Sequence, residues 1–169
     1  CGIFDAGMPF LRISYYFTSA TLVALGLHAI YYFRTALDIR YVIFLALATL
    51  GADTFAYFVG RAIGKHKLNP RLSPKKTIEG SIGGIVCGGL LGLAYAYCVK
   101  IPYALPHLAL MSFVLATTGQ IGDLTFSSIK RTFEVKDYSQ IFPGHGGVLD
   151  RFDSIIFNSM ILGFLLTLL

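Results

Sequence analysis

The sequence predicts an all-α fold, a polytopic transmembrane helix bundle of about five spans, and three observations carry that prediction. Hydrophobic residues make up 55% of the 169 and charged residues only 14%, against about 25% charged in an ordinary soluble domain. Mean hydropathy is +0.67. Uncharged runs over 13–33, 80–99 and 101–122 each reach the length of helix that crosses a bilayer core.

Taken in order, the first span is expected at 13–33 (ISYYFTSATLVALGLHAIYYF) and the second at 41–60 (YVIFLALATLGADTFAYFVG). The third, at 80–99 (GSIGGIVCGGLLGLAYAYCV), is rich in glycine, which suits close helix packing. The fourth, at 104–129, is long enough to tilt or to project beyond the hydrocarbon. The fifth begins near Phe152 and runs to the end of the chain. Residues 1–169 read as a single integral-membrane domain without repeats or low-complexity tracts. The missing initiator Met and the ending inside ILGFLLTLL lead to the expectation of a C-terminal fragment of a longer protein. Cys1, Cys87 and Cys98 lack metal-ligand spacing and are expected to be small buried apolar residues rather than a disulfide framework.

Placement of positive charge sets the sidedness. Arg12, the connection 61–79 (Arg61, Lys65, Lys67, Arg71, Lys75, Lys76) and the connection 130–151 (Lys130, Arg131, Lys136, Arg151) hold eleven of the fourteen Lys and Arg residues. The connections 34–40 and 100–103 hold only Arg34, Arg40 and Lys100. The two basic loops are separated by two spans, so they share a side, and the positive-inside rule makes it cytoplasmic.

Asp53 and Asp123 lie within otherwise apolar spans, near the cytoplasmic ends. An ionisable group at membrane depth is costly and by default faces a cavity with a partner. Asp150 and Asp153 open the fifth span from the same side, at a spacing that shares one helix face if the helix has begun. Four carboxylates thus converge on one depth. They either pair with Lys or Arg to stabilise the bundle, or form a hydrated metal site.

The first basic loop carries RLSPKKTIEG over 71–80. Ser73 and Thr77 offer hydroxyls, Lys75 and Lys76 offer charge, Pro74 is expected to fix a turn, and Thr77 is placed to cap the third span. Such a loop alone equally serves as a topology determinant or a lipid head-group contact. The second loop, 130–153, is the expected cytoplasmic catalytic loop. Gly144, Gly146 and Gly147 surround His145, permitting either a flexible turn or close approach to a ligand. Its Lys and Arg residues lie beside Asp123, Asp137, Asp150 and Asp153, the mixture that metal-assisted phosphate chemistry requires.

The pattern S-x-I-K-R-x4-K-D-x-S-x2-F-P-x-H-G-G-V-x-D-R-F-D, over 127–153, resembles the signature of the phosphatidate cytidylyltransferases, or CDP-diacylglycerol synthases, without departure. SPKKTIEG (73–80), GADTFAYFVGR (51–61) and GQIGDLTFSSIKR (119–131) are similar to the same family, so the resemblance covers the chain from about residue 50 onward. It implies a nucleotidyltransferase that converts CTP and phosphatidate to CDP-diacylglycerol and pyrophosphate with Mg²⁺, in phospholipid biosynthesis. It further implies an integral protein of the bacterial inner (cell) membrane with its site facing the cytoplasm.

On that resemblance Asp123, Asp150 and Asp153 are the expected Mg²⁺ ligands, with Asp53 next and room for a second cation. Lys130, Arg131 and Lys136 would bind phosphates, and Arg151 would stabilise the transferring group. Asp137 belongs to the same catalytic stretch. Ser73, Lys75, Lys76 and Thr77 would hold nucleotide phosphates or the lipid head group. Glu79 serves either as a metal or water ligand or as a helix-start charge. His145 either orients a phosphate or shuttles a proton. A homodimer is expected, although the third-span glycines equally suit packing within one subunit; no nucleic-acid partner is expected. The alternatives are a CTP-dependent lipid kinase of the dolichol-kinase kind and a non-enzymatic membrane transporter.

Overall fold

The structure, a computed structural model, describes residues 10–70, 73–132 and 149–169, without the side chains of 10–12, 74 and 149–151. Five helices form a membrane bundle: α1 (Phe10–Tyr32), α2 (Ile39–Ile63), α3 (Ile78–Cys98), α4 (Leu105–Thr132) and α5 (Leu149–Leu168). A π-helical turn, Phe33–Leu37, extends α1, and a short hairpin of β1 (Lys67–Asn69) and β2 (Ser73–Thr77) links α2 to α3.

Among the described residues, three helical stretches are long and apolar enough to cross a membrane: Ile13–Leu37, Ile39–Ile63 and Ile78–Cys98. The fourth expected span is a 28-residue helix, about 42 Å long, whose hydropathy is lowered by Ser112, Gln120, Asp123 and Lys130. The fifth contributes the shorter apolar stretch Phe152–Leu168. Phe17, Tyr97 and Leu168 are each about two-thirds exposed or more; on a soluble protein such a surface would aggregate, whereas lipid solvates it. Cys98 departs from expectation for the same reason. It is exposed at the end of α3, and Cys87 is half-buried, because an apolar side chain in a membrane bundle needs no protein to cover it.

Small residues set the tightest contact. Gly80, Gly84, Gly88 and Gly92 line one face of α3 at four-residue spacing and meet Ala56, Ala52 and Ala48 of α2. A Cβ at Gly88 would sit 2.5 Å from the Ala52 nitrogen, and one at Gly84 would sit 2.7 Å from the Ala56 Cβ. These contacts are possible only between antiparallel backbones in close approach, the small-residue packing that replaces the hydrophobic effect in lipid. The third-span glycines are thus used inside one subunit. On the neighbouring face, Ser112 of α4 donates to the Gly89 carbonyl at 2.6 Å and Gln120 Nε2 donates to the Ser81 carbonyl at 3.0 Å.

The apolar core, built on Phe33, Phe44, Leu45, Met111, Leu115 and Leu162, occupies one half of the bundle. That end closes on its own charges. Asp38 caps α2 by accepting from Arg40 N at 2.8 Å, and Arg40 donates to the Val99 carbonyl at the end of α3, 3.0 Å away. Lys100 then turns the chain at φ 55°, with Ile101 N bonding Ala96 O and Lys100 N bonding Tyr97 O, a Schellman ending that usually takes glycine.

Candidate active site

The opposite end gathers the C-terminal ends of α2 and α4, the N-terminal ends of α3 and α5, and the hairpin. The hairpin is one element the hydropathy pattern does not announce. Its strands pair antiparallel, Lys67 opposite Thr77 and Asn69 opposite Ser73. Pro74 lies within β2 rather than in a turn, contrary to expectation. Proline is tolerated there because the strand is an edge and needs no ladder donor at every residue.

The hairpin is fastened at its base. Thr77 caps α3 as expected, its hydroxyl accepting from Gly80 N at 3.2 Å. Ile78 N donates to the His66 carbonyl at 2.9 Å. Glu79, in the first turn of α3, accepts from Lys65 N at 3.1 Å and His66 N at 3.2 Å, and pairs with His66 Nδ1 at 2.6 Å. Both Glu79 oxygens are therefore engaged at the hairpin base, and Glu79 does not line the adjoining cavity.

That cavity, of about 380 Å³, is lined by Asp53 and Asp123 together with Ser73, Lys75, Lys76 and Thr77. Tyr57, Arg61, Lys67 and Ser81 also line it, with Ala56, Gly60 and Gly64. Lys76 Nζ is shielded from solvent and forms an ion pair with the Asp123 carboxylate. Asp53 lies within the electrostatic reach of Lys76 and Asp123, with Ser154 nearby. Asp153 is buried, accepts from its neighbour Ser154 N at 2.8 Å, and lies 3.9 Å from Lys130 Nζ. Among the described residues, Asp123 and Asp53 also lie within its electrostatic reach.

Three of the four expected carboxylates, Asp53, Asp123 and Asp153, are thus brought together from three helices, beside four cationic side chains of the cavity. Asp150 falls in the first turn of α5, three residues before Asp153, and Arg151 follows it; their side chains lie outside the described residues. So do Lys136, Asp137, Gly144, His145, Gly146 and Gly147. Arg131 is exposed in the last turn of α4.

The donors are carboxylate oxygens, the chemistry that suits Mg²⁺. Among the described residues, no three His, Cys, Asp or Glu side chains come close enough to hold a metal, and Lys76 stands against one of the candidates. The donor chemistry suits the ion in kind, and the Asp150 side chain lies outside the described residues.

Sequence reasoning did not single out Tyr57, Ser81, Gln120, Ser154 or Asn158. The available signal for the last three was a polar side chain inside an apolar span, which is costly unless partnered.

The cytidylyltransferase family model matches residues 5–169. The chain is 44% identical over 151 residues to a phosphatidate cytidylyltransferase of Staphylococcus epidermidis, an alignment covering 89% of this chain and 58% of that protein. A Staphylococcus saprophyticus protein of the same name is 41% identical over 157 residues, or 93% of this chain and 60% of that one. The Bacillus subtilis protein of that name is 43% identical over 130 residues, or 77% and 48%. The chain therefore spans about half to three-fifths of the length of these curated relatives.

Proposed function

The chain belongs to the cytidylyltransferase family, and from that premise we propose that it works as a phosphatidate cytidylyltransferase, converting CTP and phosphatidate to CDP-diacylglycerol and pyrophosphate. The observation that carries the reading is the cavity where Lys75 and Lys76 meet Asp53 and Asp123 at one end of a membrane bundle. A soluble anionic nucleotide can reach it from water, and an anionic lipid head group can reach it from the interface.

The chemistry is in-line displacement. A phosphatidate oxygen bonds to the α-phosphorus of CTP as the bond to the β-phosphate oxygen breaks and pyrophosphate leaves. The attacking phosphate is already ionised near neutral pH, so neither a strong base nor a covalent enzyme intermediate is needed. Catalysis rests on positioning and charge neutralisation.

Lys75, Lys76, Ser73 and Thr77 hold nucleotide phosphates in this reading. Lys76 has a choice of partner: the Asp123 carboxylate it now contacts, or an incoming phosphate. Lys130, Arg131 and Lys136 bind phosphates and Arg151 steadies the transferring group. His145, between its glycines, orients a phosphate. Asp123, Asp150 and Asp153, with Asp53 next, would hold Mg²⁺, which when bound supplies positive charge to the phosphate oxygens. The site faces the cytoplasm of a bacterial inner membrane, the side where the basic loops are retained. A homodimer belongs to the same proposal, with an interface away from the α3 glycine face that α2 covers.

The test supplies purified full-length protein with labelled CTP, phosphatidate and Mg²⁺. CDP-diacylglycerol with stoichiometric pyrophosphate is expected. Release of CDP would make the protein a lipid kinase, and no turnover by folded protein would make it non-enzymatic.

A further inference from the structure

We infer that Asn158 is the positioning residue that fixes α2, α4 and α5 in one axial register and thereby sets Asp53, Asp123 and Asp153 around a common site. The inference rests on those acids forming the reaction site proposed above. Asn158 is fully buried in the middle of α5, between Phe157 and the buried Ser159. Its amide nitrogen donates to the Thr49 hydroxyl of α2 and to the Leu115 carbonyl of α4, each at 2.7 Å. Its amide oxygen accepts from the Thr118 hydroxyl of α4 at 2.7 Å. Gly119 leaves the room: a Cβ there would lie 2.9 Å from the Asn158 nitrogen and 3.1 Å from the Thr49 methyl.

Each hub residue sits about one helical turn from an acid on its own helix. Thr49 precedes Asp53 by four residues and Gly119 precedes Asp123 by four, while Asn158 follows Ser154 by four and Asp153 by five. On α2 and α4 that spacing places hub and acid on the same helix face, about 6 Å apart along the axis; on α5 Asp153 lies about 7.5 Å along the axis from Asn158, next to Ser154 on the hub face. Apolar packing tolerates helix sliding, because one methyl contact replaces another. Three directional bonds from one planar amide do not. A slip of one residue would break them all and rotate the acids away from one another.

The experiment uses full-length enzyme in lipid nanodiscs. Asn158→Leu, which keeps the volume and removes the bonds, is compared with Leu162→Ala, a buried truncation one turn further from the acids. Kinetics are paired with a spin-label distance between Ile63→Cys on α2 and Phe152→Cys on α5, in a background with Cys1, Cys87 and Cys98 replaced by Ser. Both variants are expected to lower the thermal midpoint. Only Asn158→Leu is expected to lower kcat, by about ten-fold or more at a CTP KM within about two-fold, and to shift or broaden the distance. Wild-type kcat per folded molecule with an unmoved distance would overturn the inference. If Asn158→Leu does not fold, Thr49→Val removes a single acceptor and is expected to give a smaller kcat loss of the same kind; a thermal loss alone would overturn it. Absence of cytidylyl transfer by the wild type refutes the reaction, and the distance then decides the register claim by itself.

Discussion

The two ends of the bundle each carry paired charges, and they use them differently. At the far end Asp38 and Arg40, two residues apart, form an exposed pair at 3.3 Å, and both finish helix ends, one capping α2 and the other donating to the Val99 carbonyl at the end of α3. At the site end Lys76 and Asp123 come from a hairpin and a distant helix, and both are largely shielded; Lys130 and Asp153 are buried more deeply still. Exposed pairs contribute little and local ones cost little to form. Shielded pairs between elements pay a desolvation cost that apolar residues would avoid. The site end therefore keeps charge that well-packed apolar residues could replace, as the proposed reaction site requires.

The largest expected effect tests that contrast directly. Asp123→Asn should lower kcat/KM by about 100-fold or more while the thermal midpoint moves little, read by the cytidylyl-transfer assay beside a melting curve. Near-normal turnover would make the site-end pair as structural as the far-end one. Gly88→Val should couple the two ends by wedging α3 from α2. Overpacking of this kind costs about 1–3 kcal/mol, and activity should fall only in proportion to the folded fraction, measured by chemical denaturation in detergent.

The far end should respond to acid without touching catalysis. The backbone N–H and then the guanidinium of Arg40 hold the Asp38 carboxyl below its ordinary value of 3.8. A lowered folded pKa contributes stability above the unfolded value and loses it as pH falls through the folded one. Asp38→Asn should therefore melt slightly below wild type at pH 7, and the gap should close below about pH 4. Unchanged separation of the two melting curves across that range would remove the charge from the cap. The smallest effect is expected at Lys100. Lys100→Gly relieves the left-handed conformation and should stabilise by about 0.5–1 kcal/mol with kcat unchanged.

Most of the frame was legible because lipid imposes long apolar runs, and the helices begin and end within a few residues of the expected spans. Asp53 and Asp123 were legible because charge in an apolar span needs a reason, and Asp153 because it opens the fifth span from the same side. The hairpin was not, since strands of three and five residues, one with proline and two lysines, show no alternation to read. Glu79 illustrates a different limit. A carboxylate in the first turn of a helix looks the same in sequence whether it faces a ligand or, as here, the backbone of Lys65 and His66. Asn158 was legible in principle, but its three partners lie 40 to 109 residues away, a separation no local pattern reveals.

The Lys76–Asp123 contact also bears on how the protein is made. Lys76 emerges in the connection after α2, in contact with water, while Asp123 enters with a later helix destined for lipid. Until α4 is inserted, the hairpin has no counter-charge to close upon, and until the hairpin folds back, a carboxylate lies uncompensated at membrane depth. The bridge therefore marks the moment of completed insertion: a chain halted before α4 leaves the synthesis machinery should present its hairpin to proteases, and a finished one should protect it.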